Sequence, residues 1–334
     1  MKTFRAFRVE ESENGHTGSI QQRSLADLPE GDVLIQVEYS SLNYKDALSI
    51  SGNRGVTRQY PHTPGIDAAG TVVESSNPTF QAGDPVLVMG YDLGMNTDGG
   101  LSEYIRVPAN WIVHRPDTLD AETAMVFGTA GFTAAMSVDT LLQVGIAPSQ
   151  GSVLVTGATG GVGIIAVHLL KNLGFDVVAL TGKMQHSDFL KALGAKAVLH
   201  RDAVLENAKR PMKAPQWAAA VDTVGGDILG NLIKSIQYGG SVACCGMVAG
   251  HELHTSVFPF ILRGINLLGV DSVELPLDVK KDIWNTIGRQ WQFPNLSELK
   301  QRAIQVIGLD GVAEAVNTML SGQHVGRYVV KVHE

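Results

Sequence analysis

Eight residues, Thr156-Gly157-Ala158-Thr159-Gly160-Gly161-Val162-Gly163, span the junction of the apolar run SVLVT with the helical run GVGIIAVHLLKNL. Backbone closes on a phosphate only where side chains are missing, and the first turn of a helix supplies N–H donors with a partial positive charge. Glycines placed between a strand and a helix therefore predict a pyrophosphate cradle, with Thr156, Gly157, Thr159, Gly160, Gly161 and Val162 as the candidate residues. A bare glycine triplet would make only a tight turn, so the strand–helix context carries the argument. The next apolar run, FDVVAL, ends about 20 residues further on, where a site selective for an unphosphorylated ribose keeps an acid. The residues there are Thr181, Gly182 and Lys183. A hydroxyl and an ammonium suit a ribose 2′-phosphate, Arg201 after the third strand adds a second cation, and NADPH is expected over NADH. The competing reading of Lys183 is a solvated surface lysine.

The elements around these groups fall into two periodicities. Residues 1–125 read as short strands and turns, with β-rich runs at VLIQVEY (33–39), TVV (71–73), PVLVMG (85–90) and EYIRV (103–107). Helical patterning starts near Ala121. From Gly151 strands and helices alternate, with later strands expected at 196–200, 218–223, 241–245 and 266–270. Six such units predict a doubly wound parallel sheet of the Rossmann type over 126–270. The remainder, 271–334, holds an amphipathic stretch (VKKDIWNTIGRQW), a helix near 311–320 and a closing strand RYVVKV, and is expected to fold back on the first half.

At 334 residues the chain is long enough for two domains, and 37 glycines without a repeat place the excess in turns and close backbone contacts. A net charge of −7 without basic runs argues against nucleic acid and anionic membranes as partners. The opening MKTFRAFRVEESENG lacks the apolar core of a signal peptide, and no later segment suggests a membrane span, which predicts a cytoplasmic protein. The cysteines, Cys244 and Cys245, are adjacent in VACCG and read as strand residues; they cannot make a disulfide framework or a thiolate zinc cluster.

The ordered segments SSLNYKDAL, PGIDAAGTV, GGLSEYIRVP, GTAGFTAAMSV, TGATGGVG, DTVGGD, YGGSVACCG, PFILRGINLLGVDSV and GRYVVKV resemble the medium-chain dehydrogenase/reductase superfamily over essentially the whole chain. They are most similar to its quinone-oxidoreductase-like branch and, within that, to the acrylyl-CoA reductases. The resemblance implies a GroES-like β-rich catalytic domain (1–125 and 271–334), an intervening Rossmann domain, and a homodimer paired through the last Rossmann strand. It also implies that Tyr44, Gly246, Met247, Val248, Ser272 and Arg327 border the cofactor. Zinc-dependent members carry a cysteine at the position of Asn43 and Gly-His-Glu at the position of Gly65-Ile66-Asp67, so metal-free chemistry is expected. His251 and His254 read as surface histidines.

Without a metal, the expected reaction is hydride transfer from the nicotinamide to the β-carbon of an activated C=C bond, with an enolate oxygen that needs hydrogen-bond donors. Backbone N–H groups, the ribose hydroxyl, Asn43 and Tyr44 are candidates; a tyrosine packed at a domain interface is the plain alternative for Tyr44. Asp67 either orients such a group or holds the PGID backbone, the latter favoured. Arg327 either faces the cofactor or lies on the barrel surface. By resemblance the substrate is a short acyl-CoA thioester, acrylyl-CoA first; from loop position alone, Arg54 and Arg58 in GNRGVTRQYP are candidates to meet its phosphates. A quinone or enone reductase is the alternative, and a non-catalytic NADPH-binding sensor or structural protein is the alternative of another class.

Overall fold

The computed structural model describes residues 2–291 and 296–333. Its contacts divide the chain into two units, 1–129 with 272–334, and 130–271. In the first unit β1 (Thr3–Ser12) and β2 (Gly15–Ser24) form an antiparallel hairpin. There follow β3 (Val33–Leu42), α1 (Tyr44–Ile50), β4 (Asp67–Ser75), β5 (Pro85–Met89), β6 (Tyr104–Val107), β7 (Ile112–His114) and the start of the helical run α2 (Ala121–Gln143), whose residues from Ala130 on belong to the second unit. The four β-rich runs expected before residue 110 all fall on strands. Val33, Ile35, Val37, Val72, Val86 and Ile105 sit in one core, each side chain contributing roughly 1.5–3 kcal/mol on burial.

The second unit alternates β8 (Val153–Thr156), α3 (Gly161–Asn172), β9 (Val177–Thr181), α4 (Ser187–Leu193), β10 (Ala197–His200), β11 (Trp217–Asp222), α5 (Gly226–Ile233), β12 (Ile236–Cys244), α6 (Phe258–Arg263) and β13 (Asn266–Gly269). Its strands pair in parallel in the order β10-β9-β8-β11-β12-β13. That order reverses between β8 and β11, the switch point where open sheets of this kind bind ligands.

The chain then returns to the first unit through α7 (Leu277–Arg289), α8 (Leu296–Ala303), β14 (Ile304–Ile307), α9 (Val312–Leu320) and β15 (Arg327–Lys331). The sheet there runs β14-β15-β3-β4-β5-β7, with β6 also on β3. Register fixes what meets at one end of it: Tyr328 pairs with Leu42 and Val329 with Ser41, while β4 begins at Asp67 beside the same stretch of β3. Arg327, Asn43 and Asp67, far apart in sequence, are thus brought to one place. The short helix α1, the segment α8 and strand β14 were not expected from periodicity.

The expectation that no later segment suggests a membrane span needs correction. Ala121–Gln143 is long and apolar enough to cross a membrane by length and composition. Two observations read it as a core helix instead: 72% of its apolar window is buried, and at Gly128 the backbone leaves helical geometry (φ 49, ψ −157).

Candidate active site

The glycine loop is built as its sequence suggests. Gly157 takes φ +59, and a Cβ there would collide with the Thr223 hydroxyl from the loop after β11. A Cβ at Gly163 would collide with the Gly157 carbonyl, so α3 begins tight against the loop. Gly160 is the N-cap, its N–H donating to Gly157 O at 2.8 Å. Loop backbone is thereby wrapped ahead of the N-terminus of a 12-residue helix, where an anionic pyrophosphate is favoured. Gly157, Gly160, Gly161 and Val162 are partly exposed there.

Three threonines expected at the cofactor are braces instead. Thr156 is fully buried; its hydroxyl donates to Asp222 Oδ1 (2.7 Å) and accepts from the Thr223 N–H (3.0 Å). Thr159 and Thr181 are both buried and share a hydrogen bond of 3.1 Å. Thr181 also accepts from the Lys183 N–H (3.0 Å), which turns the chain after β9. The expected contact of Thr181 with a 2′-phosphate is therefore corrected to a role in shaping the loop. Of the two cations expected at the ribose, Lys183 is partly exposed, with its pKa lowered by burial, and the Arg201 side chain is 68% exposed. Gly182 leaves room for Arg201, whose Cδ would lie 3.2 Å from a Cβ. Gly246 packs on the Thr223 carbonyl where no side chain fits, and Met247 and Val248 beyond it are exposed.

In the other unit, Asn43 is the hub of a buried network. Its Nδ2 donates to Asp67 Oδ2 at 2.7 Å, and its Oδ1 accepts from Arg327 Nη1 at 3.1 Å. Asn43 is thus engaged on both sides of its amide, and the free oxyanion donor expected there is instead a positioning residue. Asp67 accepts from the Ser41 hydroxyl (2.6 Å), the Thr129 N–H (2.9 Å) and the Thr129 hydroxyl (2.6 Å). The kink at Gly128 makes this possible: a Cβ there would fall 2.6 Å from Asp67 Oδ2 and 2.7 Å from Arg327 Nη2. Arg327 is neither a surface arginine nor an exposed cofactor ligand. It is 2% exposed and donates to the carbonyls of Val126 (3.3 Å) and Leu42 (3.1 Å) and to Ser41 Oγ (2.7 Å) as well. Ser272 is also buried.

The sequence reading missed Asp46. This carboxylate, not Asp67, holds the PGID backbone: Oδ1 accepts from the N–H groups of Gly65 (3.1 Å) and Ile66 (2.9 Å), and Oδ2 from that of Asn43 (2.8 Å). The signal was present as an N-x-x-D spacing, in which the third helical residue reaches back to the N-cap N–H. Burial, then the nearby Asp67 charge, push its pKa up to about 7, against the pull of hydrogen bonds from Asn43 and Ile66. Tyr44, first residue of α1, follows this clamped Asn43 and stays 44% exposed.

A raised carboxyl pKa has a definite linkage sign. Between the ordinary value near 4 and the folded value near 7, the folded state holds a proton that the unfolded state has lost, so stability falls as pH rises. The expected slope from this group is on the order of 1 kcal/mol per pH unit. Asp46→Asn, which cannot titrate, should flatten the plot of urea midpoint against pH from 5 to 7. Equal slopes in both proteins would show that Asp46 is ionised throughout.

Arg54 is engaged with Glu11 and with the Arg58 carbonyl (2.6 Å), while Arg58 is exposed. His251 is exposed, and His254 is exposed with Asp227 at 3.6 Å and Glu252 at 3.3 Å. A zinc ion does not fit the Asn43 region, because Ile66 offers no donor atom and the Asn43 amide is engaged on both sides. Among the described residues no group of three or more His, Cys, Asp or Glu forms a metal cluster.

A doubly wound sheet with a glycine cradle, joined in one chain to a β-rich unit holding a buried polar network, defines a two-domain nucleotide-dependent oxidoreductase. Residues 29–117 match the alcohol dehydrogenase GroES-like domain family, and residues 161–287 match the zinc-binding dehydrogenase family. The chain belongs to the medium-chain dehydrogenase/reductase superfamily. It is 45% identical to YhfP of Bacillus subtilis, which carries a quinone oxidoreductase name, over 98% of this chain and 99% of that protein. It is 43% identical to the acrylyl-CoA reductase AcuI of Ruegeria pomeroyi over 99% of each chain. The yhdH oxidoreductase of Salmonella enterica, solved with NADP, superposes with a TM-score of 0.94 at 41% identity, covering 98% of this chain and 100% of that one. The solved YhfP structure, with NAD bound, reaches 0.95 at 44% identity, covering 99% and 100%.

Proposed function

We propose that the protein is an NADPH-dependent reductase of a short 2-enoyl-CoA, acrylyl-CoA first, yielding the saturated thioester. The observation that carries this reading is 43% identity to an acrylyl-CoA reductase across 99% of both chains. Bound NADPH would supply the hydride. The partly exposed glycines at the start of α3 hold its pyrophosphate, and Lys183 and Arg201 hold the 2′-phosphate. Tyr44 donates to the thioester carbonyl, where charge grows as the β-carbon is reduced, and Asn43, Asp46, Asp67 and Arg327 keep α1 in place beneath it. Addition of acrylyl-CoA should oxidise NADPH, with the α-carbon of the enolate taking one proton from solvent, and produce propionyl-CoA in equal amount. A protein that binds NADPH but turns over neither thioester nor quinone would be the non-catalytic alternative.

The quinone reading is kept because YhfP is as similar as AcuI and was solved with NAD. NADPH is favoured here because Lys183 and Arg201 flank Gly182 after β9. Charge-assisted bonds of about 1.5–3 kcal/mol each imply that Lys183→Glu weakens NADPH binding ~10–100-fold and leaves NADH binding unchanged or improved. Titration by cofactor fluorescence reads both constants, and equal wild-type affinities would refute the assignment. We further propose a cytoplasmic homodimer paired through β13. Support comes from its place at the edge of the sheet and from the exposed apolar residues Val257, Phe258, Ile261 and Leu262 in and beside α6.

A further inference from the structure

Lys280 of α7 is completely buried. Its ammonium donates to the carbonyls of Met89 (3.0 Å) and Val273 (2.8 Å) and stands 3.4 Å from the centre of the Tyr91 ring. Tyr91 completes the arrangement: its N–H donates to Val273 O (3.2 Å), its phenol donates to Leu275 O (2.9 Å), and its backbone adopts φ +52. Left-handed backbone is disfavoured for a bulky aromatic residue and persists only where surroundings enforce it. One lysine and one tyrosine thus tie residues 89–91 to residues 273–275. Gly90 leaves no spare room, since a Cβ there would lie 2.9 Å from Val273 O and 3.1 Å from the ammonium.

What these segments adjoin gives the clasp its meaning. Met89 sits directly opposite Asp67 in the pairing of β4 with β5, and the Gly90 N–H donates to Ile66 O (3.2 Å). The clasp therefore abuts the PGID turn that Asp46 also holds, and through Asp67 it reaches the clamp on Asn43, the residue before Tyr44. We propose that Lys280, acting with Tyr91, is a positioning residue that fixes this wall of the site and so the placement of Tyr44 for the reduction. The proposal rests on the function proposed above for its kinetic consequence only.

Lys280→Met keeps length and removes charge and donors. A displacement of about 1 Å at a reacting group can cost ~100-fold in rate, so kcat should fall ~10–100-fold while the KM for NADPH stays within about twofold. Amide hydrogen exchange at Gly90, Tyr91 and 273–275 should accelerate at least about tenfold, with the strands of the nucleotide-binding sheet unchanged. Tyr91→Phe, losing only the bond to Leu275, should show the same pattern more weakly and carries the test if Lys280→Met does not fold. Unchanged exchange in a folded variant, or faster exchange with wild-type kcat, would overturn the proposal. Wild-type protein inactive on every activated alkene would instead refute the functional reading, and exchange at the two segments would still decide whether the clasp exists.

Discussion

Replacing Arg327 with methionine should destabilise the folded protein by about 3–5 kcal/mol, because it strips four buried acceptors of their charged donor and leaves the buried Asp67 without a nearby cation. The guanidinium supplies donors to Ser41, Leu42, Asn43 and Val126 and is fully enclosed; burial lowers its pKa, while Asp67 and Asp46 raise it. Lysine at this position keeps the charge but not the planar fork, so Arg327→Lys should recover only part of the loss. Adding Asp67→Asn to Arg327→Met should restore some stability, since the second substitution removes charge that the first has stranded. Urea unfolding of the three variants reads all of this. A loss below about 1 kcal/mol for Arg327→Met would mean that the guanidinium does not hold this network together.

Tyr44→Phe should lower kcat by ~10–1000-fold, the range expected when a donor acts on charge that exists only in the transition state. Its partly exposed side chain lies outside the buried network, so the substitution should leave the urea midpoint nearly unchanged. That contrast separates Tyr44 from Asn43, whose replacement would break bonds to Asp67 and Arg327 and cost stability and rate together. Steady-state kinetics with the saturating enoyl-CoA check the point. A change confined to KM would make Tyr44 a binding residue, and unchanged kinetics would remove it from the site.

Much of the nucleotide-binding unit was legible because its chemistry is local. Glycines in the turn after β8, no acid after β9 and a lysine two residues beyond its last threonine are statements about neighbouring residues, and the strand periodicity that frames them is equally local. The Asn43 network was not legible for the opposite reason. Arg327 meets Asn43 across 284 positions, and Asp67 meets Thr129 across 62, through the register of β15 on β3 and a kink at Gly128. Residue type alone therefore suggested an oxyanion donor at Asn43 and an Arg327 facing the cofactor or the barrel surface, where close packing made one buried cluster. Thr156 and Thr181 misled in a related way: hydroxyls beside a phosphate loop look like ligands, yet full burial spends them on Asp222 and on the turn at Lys183.

The central claim, that this is a reductase of a short enoyl-CoA, is tested most directly by kcat/KM for acrylyl-CoA, crotonyl-CoA and a simple 1,4-quinone, measured with NADPH under one set of conditions. Ratios of kcat/KM report differential transition-state binding and are independent of how tightly each substrate binds in its ground state. The account predicts acrylyl-CoA ahead of crotonyl-CoA and well ahead of the quinone. A quinone preferred by about tenfold or more, equivalent to ~1.4 kcal/mol of transition-state binding, would contradict it and make the protein a quinone reductase.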